Sequence, residues 1–351
     1  MRVDRRELLK AASGFVLFAG LPLRGVLAQA PRQYPFTLGI AAGDPAPDGF
    51  VIWTRLAPRP LEPHGGMEPQ PVVVAWEVAE DEAFSRIVRS GEVIARPELG
   101  HSVHVEVEGL RPARPYYYRF LAGTTVSDTG TARSAPPPGA AVGRVRIGVA
   151  GCQRYTSGYF TAYRYLATEG DLDAIFHYGD YIYEGGARRG CAVVDGQTVC
   201  VREHDSDEIY SLDDYRHRYA LYKLDPDLQA AHRAAAFLST FDDHEVDNNW
   251  TSQWDENGTP PEVFLLRRFA ALQAWYENMP VRRTQFPANG QLRMFRRIDY
   301  GSLLRIHLLD TRQYRSDQRC NMPGDRNCRS ADDTGLESVL GRIDIQDFQK
   351  V

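Results

Sequence analysis

Between Phe36 and Ala135 the apolar residues come in short blocks at the spacing of strands. Gly49-Phe50-Val51-Ile52-Trp53-Thr54 and Val72-Val73-Val74-Ala75-Trp76-Glu77 are strand-like, and His101 to Val107 alternates small or apolar with polar residues, as a half-buried strand does. Leu110-Arg111-Pro112 followed by Tyr116 and Tyr118 predicts the tyrosine corner of an immunoglobulin-like or fibronectin-type β sandwich, with Trp76 as a core tryptophan. Three prolines among small residues in Ser134 to Ala141 cannot form a regular element, so they predict a linker. The sandwich domain is therefore expected over 34–135, the linker over 136–143 and a second domain over 144–351.

From Arg144 the pattern changes. Val145 to Ala150 predicts a strand, Phe160 to Glu169 a helix, and Ala174 to Tyr178 a second buried strand. Strand, helix and strand in so short a span make a βαβ unit, hence an α/β domain with partly parallel strands. Helices are predicted over Leu212 to Tyr222, Leu228 to Leu238 and Pro261 to Asn278, and a further buried strand over Leu303 to Leu309.

Composition narrows the class. With 351 residues, 43% hydrophobic and 25% charged, the chain is long enough for two globular domains. A net charge of −5 gives no nucleic-acid footprint, and no apolar run reaches the roughly 18 residues a membrane span needs. Residues 1–30 look like an export signal. Arg5-Arg6 is a twin-arginine pattern, Ala11 to Leu23 is weakly apolar, and Ala28-Gln29-Ala30 is a small-residue cleavage site. The expectation is a periplasmic or secreted protein handed to the twin-arginine export machinery, with no stable membrane anchor. Cys191 with Cys200, and Cys320 with Cys328, are spaced to close local disulfides in an oxidising compartment, leaving Cys152 unpaired.

Candidate chemistry gathers where strands are predicted to stop. Cys152 follows the first strand, Asp180 and Tyr183 the second, and Asp243, His244 and Asn248 the alanine-rich segment ending in Phe237 to Phe241. Gly179 lets the backbone turn sharply and brings Asp180 to the rim of a sheet, where α/β proteins bind ligands. Phenolate and thiolate suit trivalent iron, whereas Asp and Asn oxygens suit a harder divalent ion. A bridging carboxylate, for which Asp180 is the candidate, holds two cations about 3.5–4 Å apart so that they grip a phosphoryl group and generate hydroxide. Taken singly, His244 fits equally a helix-end histidine and Tyr183 a core aromatic.

These stretches resemble the alkaline phosphatase D (PhoD-like) family of secreted metallophosphatases. The resemblance covers about Phe36 to Leu340 and rests on FTLGIAAGDPAPDGFVIWTRLAP from Phe36, LRPARPYYYRF, GCQRYTSGYFTAYRYLA, FHYGDYIYE, FDDHEVDNNW and LLDTRQYR. It implies a sandwich domain followed by a calcineurin-like metallophosphoesterase domain with an iron (Fe3+) and calcium site acting on phosphomonoesters and phosphodiesters. It puts metal-ligand positions on Cys152, Asp180, Tyr183, Asp243 and Asn248, a general acid or phosphoryl contact on His244, and a phosphate contact on Arg154. Family members continue past DTRQYR with further metal-binding motifs, whereas RIDIQDFQKV from Arg342 does not match that continuation. The second domain is therefore expected to be partial. The expected function is exported, metal-dependent hydrolysis of a small phosphate ester. Its rivals are a catalytically inactive truncated remnant or binding protein, and a phospholipase D-like secreted phosphodiesterase.

Overall fold

The computed structural model describes residues 30–188, 191–286 and 291–315. The twin-arginine pair, most of the cleavage motif, the Cys320–Cys328 pair and the chain end from Arg342 lie outside the described residues. The first eight strands are β1 (Ile40–Ala46), β2 (Gly49–Arg55), β3 (Val72–Ala79), β4 (Ile87–Ala95), β5 (Ser102–Val107), β6 (Pro115–Ala122), β7 (Thr125–Val126) and β8 (Gly130–Arg133). They fall into two sheets, β5-β2-β1 and β4-β3-β6-β7 with β8 beside β6. Ile40, Phe50, Ile52 and Val105 of the first share one core with Val74, Val78, Tyr118 and Phe120 of the second, a sandwich-like arrangement.

The corner predicted at Tyr116 is present in its hydrogen bonds. Its hydroxyl accepts from the Arg111 N–H at 2.9 Å and donates to the Arg111 carbonyl at 3.1 Å. Trp76 is not the core tryptophan. It is half-buried at the margin of that core, with its ring against Gly91, where a β-carbon would stand 2.8 Å away. Trp53 is fully buried instead, and its indole N–H donates to the Glu277 carbonyl at 2.9 Å.

The remaining elements are β9 (Ile147–Ala150), α1 (Thr161–Thr168), β10 (Ala174–His177), β11 (Ala192–Val194), β12 (Gln197–Val199), α2 (Leu212–Lys223), α3 (Pro226–Ala234), β13 (Phe237–Ser239), α4 (Pro261–Asn278), β14 (Arg296–Tyr300) and β15 (Leu304–Leu308). β9, α1 and β10 form the expected βαβ unit, with Ile147 paired in parallel to Ala174. The alanine-rich helix differs from its sequence pattern. Asp225 caps α3 by accepting from the amides of Asp227 and Leu228, Pro226 opens it, and Ala235 is already extended. Phe237–Ser239 is thereby released to pair in parallel with β10.

β13 also pairs in parallel with β1, at Gly43 opposite Phe237. One six-stranded mixed sheet, β5-β2-β1-β13-β10-β9, therefore runs through both halves of the chain. Gly43 permits this join, since a β-carbon there would lie 2.1 Å from the Pro280 carbonyl oxygen and 2.8 Å from that of Phe237. Aromatic and aliphatic side chains of α2, α3 and α4 form the larger core, with Tyr215, Tyr219, Leu228, Leu272 and Trp275 fully buried.

The strand predicted near Leu303–Leu309 forms, but as an antiparallel hairpin of β14 and β15 outside the main sheet. It is only partly buried: Ile298, Tyr300 and Leu308 cover Ala174 and Leu238, while Arg305 is exposed. Cys191 and Cys200 are joined as a disulfide across the β11–β12 hairpin, and Cys152 is free. No helix among the described residues is long and apolar enough to cross a membrane.

Candidate metal centre

β13, β10 and β9 lie side by side and parallel, so the loops that leave them emerge at the same edge. Backbone bonds stitch the loops together beyond the strands. The amides of Cys152 and Gln153 donate to the carbonyls of Gly179 and Asp180, each at 3.1 Å, and the Thr240 amide donates to the His177 carbonyl at 3.0 Å. Cys152 and Asp180 both hold left-handed backbone angles, φ 51° and 54°. Such angles cost a non-glycine residue and occur where the surroundings enforce them.

Glu245 does part of that enforcing. Its fully buried carboxylate accepts from the Tyr181 amide at 2.5 Å through one oxygen and from the Asp242 amide at 2.9 Å through the other. It thus ties the loop after β10 to the loop after β13. Burial, with Asp180 next in weight, pushes its carboxyl well above the ordinary range.

Asp180, Asp243 and His244 are each buried and offer donor atoms that lie within 4.8 Å of one another. Asp180 Oδ2 accepts from the Tyr183 hydroxyl at 2.9 Å, while its buried Oδ1 has no hydrogen-bond partner. Cys152 faces solvent, with its thiol beside Asp180, Tyr178 and Tyr183. The strand ends thus bring together Cys152, Asp180, Tyr183, Asp243 and His244. Arg154 lies over Tyr183, its guanidinium 4.0 Å from the ring centre, and the Tyr183 ring is tilted against that of His244 with centres 4.1 Å apart.

Asn248 is placed otherwise. Its side-chain amide donates to Glu256 at 2.7 Å, and its backbone amide donates to Glu184 at 3.3 Å.

The electrostatics are those of crowded anions. Burial raises the Asp180 carboxyl, opposed by His244 and reinforced by Asp243. Burial also pushes the Cys152 thiol up to about 11, with the Asp180 charge adding to it. For Asp243 burial acts upward but is outweighed by the Arg312 charge and the Asn249 amide, so its pKa is lowered. For His244 burial acts downward but is outweighed by the hydrogen bond and charge of Glu184, then by Asp243 and Asp180, so its pKa is raised. An unpartnered carboxylate oxygen beside a second carboxylate, an imidazole, a phenol and a thiol fits a cation.

Three residues here escaped the sequence reading. Glu184 accepts from His244 Nδ1 at 2.7 Å, Glu245 joins the two loops, and Arg312 bonds Asp242 at 2.7 Å with a second nitrogen 3.5 Å from Asp243. Each sits inside a motif already singled out, FHYGDYIYE, FDDHEVDNNW or LLDTRQYR, and that was the available signal.

Known proteins carry the same framework. The sequence pattern of the PhoD-like phosphatase domain matches residues 147–350, and that of the PhoD-like phosphatase N-terminal domain matches residues 22–136. The chain belongs to the PhoD-like phosphatase family. It is 47% identical over 329 residues to alkaline phosphatase D of Bacillus subtilis (strain 168), covering 91% of this chain and 55% of that protein. A solved structure described as that of PhoD superposes with a TM-score of 0.85 at 45% identity, covering 92% of this chain and 60% of that one. The chain thus spans little more than half the length of these relatives.

Proposed function

We propose that this chain is a metal-dependent phosphoesterase acting on small phosphate monoesters or diesters. The observation that carries the reading is the unpartnered Oδ1 of Asp180, buried among the donors of Cys152, Tyr183 and Asp243, with His244 beside them. Cys152, Asp180 and Tyr183 would hold an iron (Fe3+) and Asp180 and Asp243 a calcium, which Asn248 would join only through its amide oxygen, since its amide nitrogen already donates to Glu256. Such a pair supplies Lewis acidity and lowers the pKa of water. The Arg154 guanidinium would fork onto two phosphoryl oxygens, a geometry a planar cation matches well. His244, with Nδ1 engaged by Glu184, has Nε2 left to donate a proton to the departing alkoxide. We also read the fold as an immunoglobulin-like sandwich ahead of a calcineurin-like domain, and the protein as exported through its twin-arginine signal.

Two assays test the reading. Purified protein is expected to contain iron with a visible tyrosinate or thiolate charge-transfer band, and to hydrolyse 4-nitrophenyl phosphate, its diester, or both. Asp180→Asn is expected to lose most bound metal while remaining folded. Normal metal content in that variant would remove the bridging role, and colourless, inactive wild-type protein would favour a binding protein instead.

A further inference from the structure

Glu184 lies deep beside the proposed reaction centre, 1% exposed. Its two oxygens are divided within one loop. Oε2 accepts from His244 Nδ1 at 2.7 Å, and Oε1 accepts from the backbone amide of Asn248 at 3.3 Å. Its own main chain is fixed from both sides. The buried Arg218 donates through Nη1 to the carbonyls of Tyr183 and of Gly185, the latter at 2.9 Å. The His244 ring is therefore held in two ways, at its edge by Glu184 and on its face by the Tyr183 ring 4.1 Å away.

We propose that Glu184 is the positioning residue for His244. It holds the proton on Nδ1 and the ring at one rotation, so that Nε2 points at the leaving oxygen. This rests on the proposed role of His244 as proton donor. In that step water oxygen bonds to phosphorus as the ester P–O bond breaks, and the bond pair leaves on the ester oxygen. The Nε2 proton then neutralises that oxygen, leaving a neutral imidazole, and the proton lost by the attacking water restores the imidazolium through solvent. Carboxylates that orient a metal-bound histidine through its second nitrogen are worth about 10–100-fold in activity, and a loss of that order is expected for a histidine that donates a proton.

The test compares Glu184→Gln, Glu184→Asp and His244→Gln with wild type on ethyl phosphate, whose alkoxide needs a proton, and 4-nitrophenyl phosphate, whose phenolate hardly does. Metal content and thermal midpoint are read on the same samples. For Glu184→Gln we expect kcat on ethyl phosphate to fall about 10–100-fold. On 4-nitrophenyl phosphate the loss should be less than about threefold, with KM and metal content unchanged; Glu184→Asp, which keeps the charge, should recover part of the loss. An equal loss on both esters, or loss of metal, would make Glu184 structural and overturn the proposal. If Glu184→Gln does not fold, Glu184→Asp decides alone, and equal effects on both esters overturn the proposal. If His244→Gln shows leaving-group dependence and neither Glu184 variant does, the positioning role fails and the role of His244 stands. If His244→Gln shows none, the role of His244 fails and this inference with it.

Discussion

The α-carbon of Gly179 is pressed against the backbone of Asp242: a β-carbon there would stand 2.4 Å from the Asp242 nitrogen. With a φ of 118°, Gly179 also occupies backbone space that L side chains rarely enter. Both loops that carry the carboxylates depend on this crossing. Gly179→Ala is expected to cost about 3 kcal/mol, adding overpacking to backbone strain. Denaturant unfolding checks the size, and an unchanged midpoint would mean the crossing relaxes freely.

Glu245 joins the same two loops by accepting one amide from each. Truncation to alanine strands the Tyr181 and Asp242 amides in a buried setting, at about 1–3 kcal/mol for each. Glu245→Ala is therefore expected to lower stability and metal content together, and Glu245→Gln, which keeps one good acceptor, to do less. Calorimetry with metal analysis on both variants measures this, and equal effects would point to lost volume as the cause.

Lys223 ends α2 in full burial, its ammonium 4.3 Å from the Trp53 ring centre and 5.1 Å from that of Tyr181. Burial, helped by the neighbouring Arg55 charge, brings its pKa down from 10.5 to about 7, and the buried His177 and His232 are held neutral beside it. Because the folded pKa lies below the unfolded one, the unfolded chain binds the extra proton between about pH 7 and 10.5. Stability from this group therefore rises with pH across that window, and its penalty is full below it, roughly 4–5 kcal/mol at most. Lys223→Met is expected to raise the thermal midpoint at pH 6–7 and to lose that advantage towards pH 10, as melting curves across the range would record. A constant difference at every pH would remove titration as the cause.

The Cys191–Cys200 bridge closes a hairpin on which Val193, Val194 and Val199 are exposed, so it restrains local structure and contributes little to the core. Cys200→Ser is expected to speed proteolytic cutting between β11 and β12 with little change in the global melting point. Loop-closure entropy limits the effect to about 2–3 kcal/mol. A global loss larger than that would show that the hairpin packs more tightly than its exposure indicates.

The centre was legible because local signals mark it. Apolar runs stop at Gly151 and Gly179, the next residues are Cys152 and Asp180, and neighbouring parallel strands bring such positions to one edge. What stayed hidden depends on partners far away in sequence. In LQAAHRAAAFL the helical pattern runs without interruption to Leu238, and only pairing with β10 and β1 turns its end into a strand. Trp53 and Trp76 occupy equivalent places in two similar runs, and the approach of α2 and α4 buries the first more deeply. Glu184 and Arg312 look like surface charges until His244 and Asp242 arrive from loops 60 and 70 positions away.

Because β13 lies between β1 and β10, the first strand among the described residues cannot gain its inner neighbour until the ribosome has made almost two hundred further residues. Synthesis runs from one end to the other, but this sheet closes from its middle. The amino-terminal layers must wait with an open flank, and the late arrival of Phe237 is the event that makes two half-finished bodies into one.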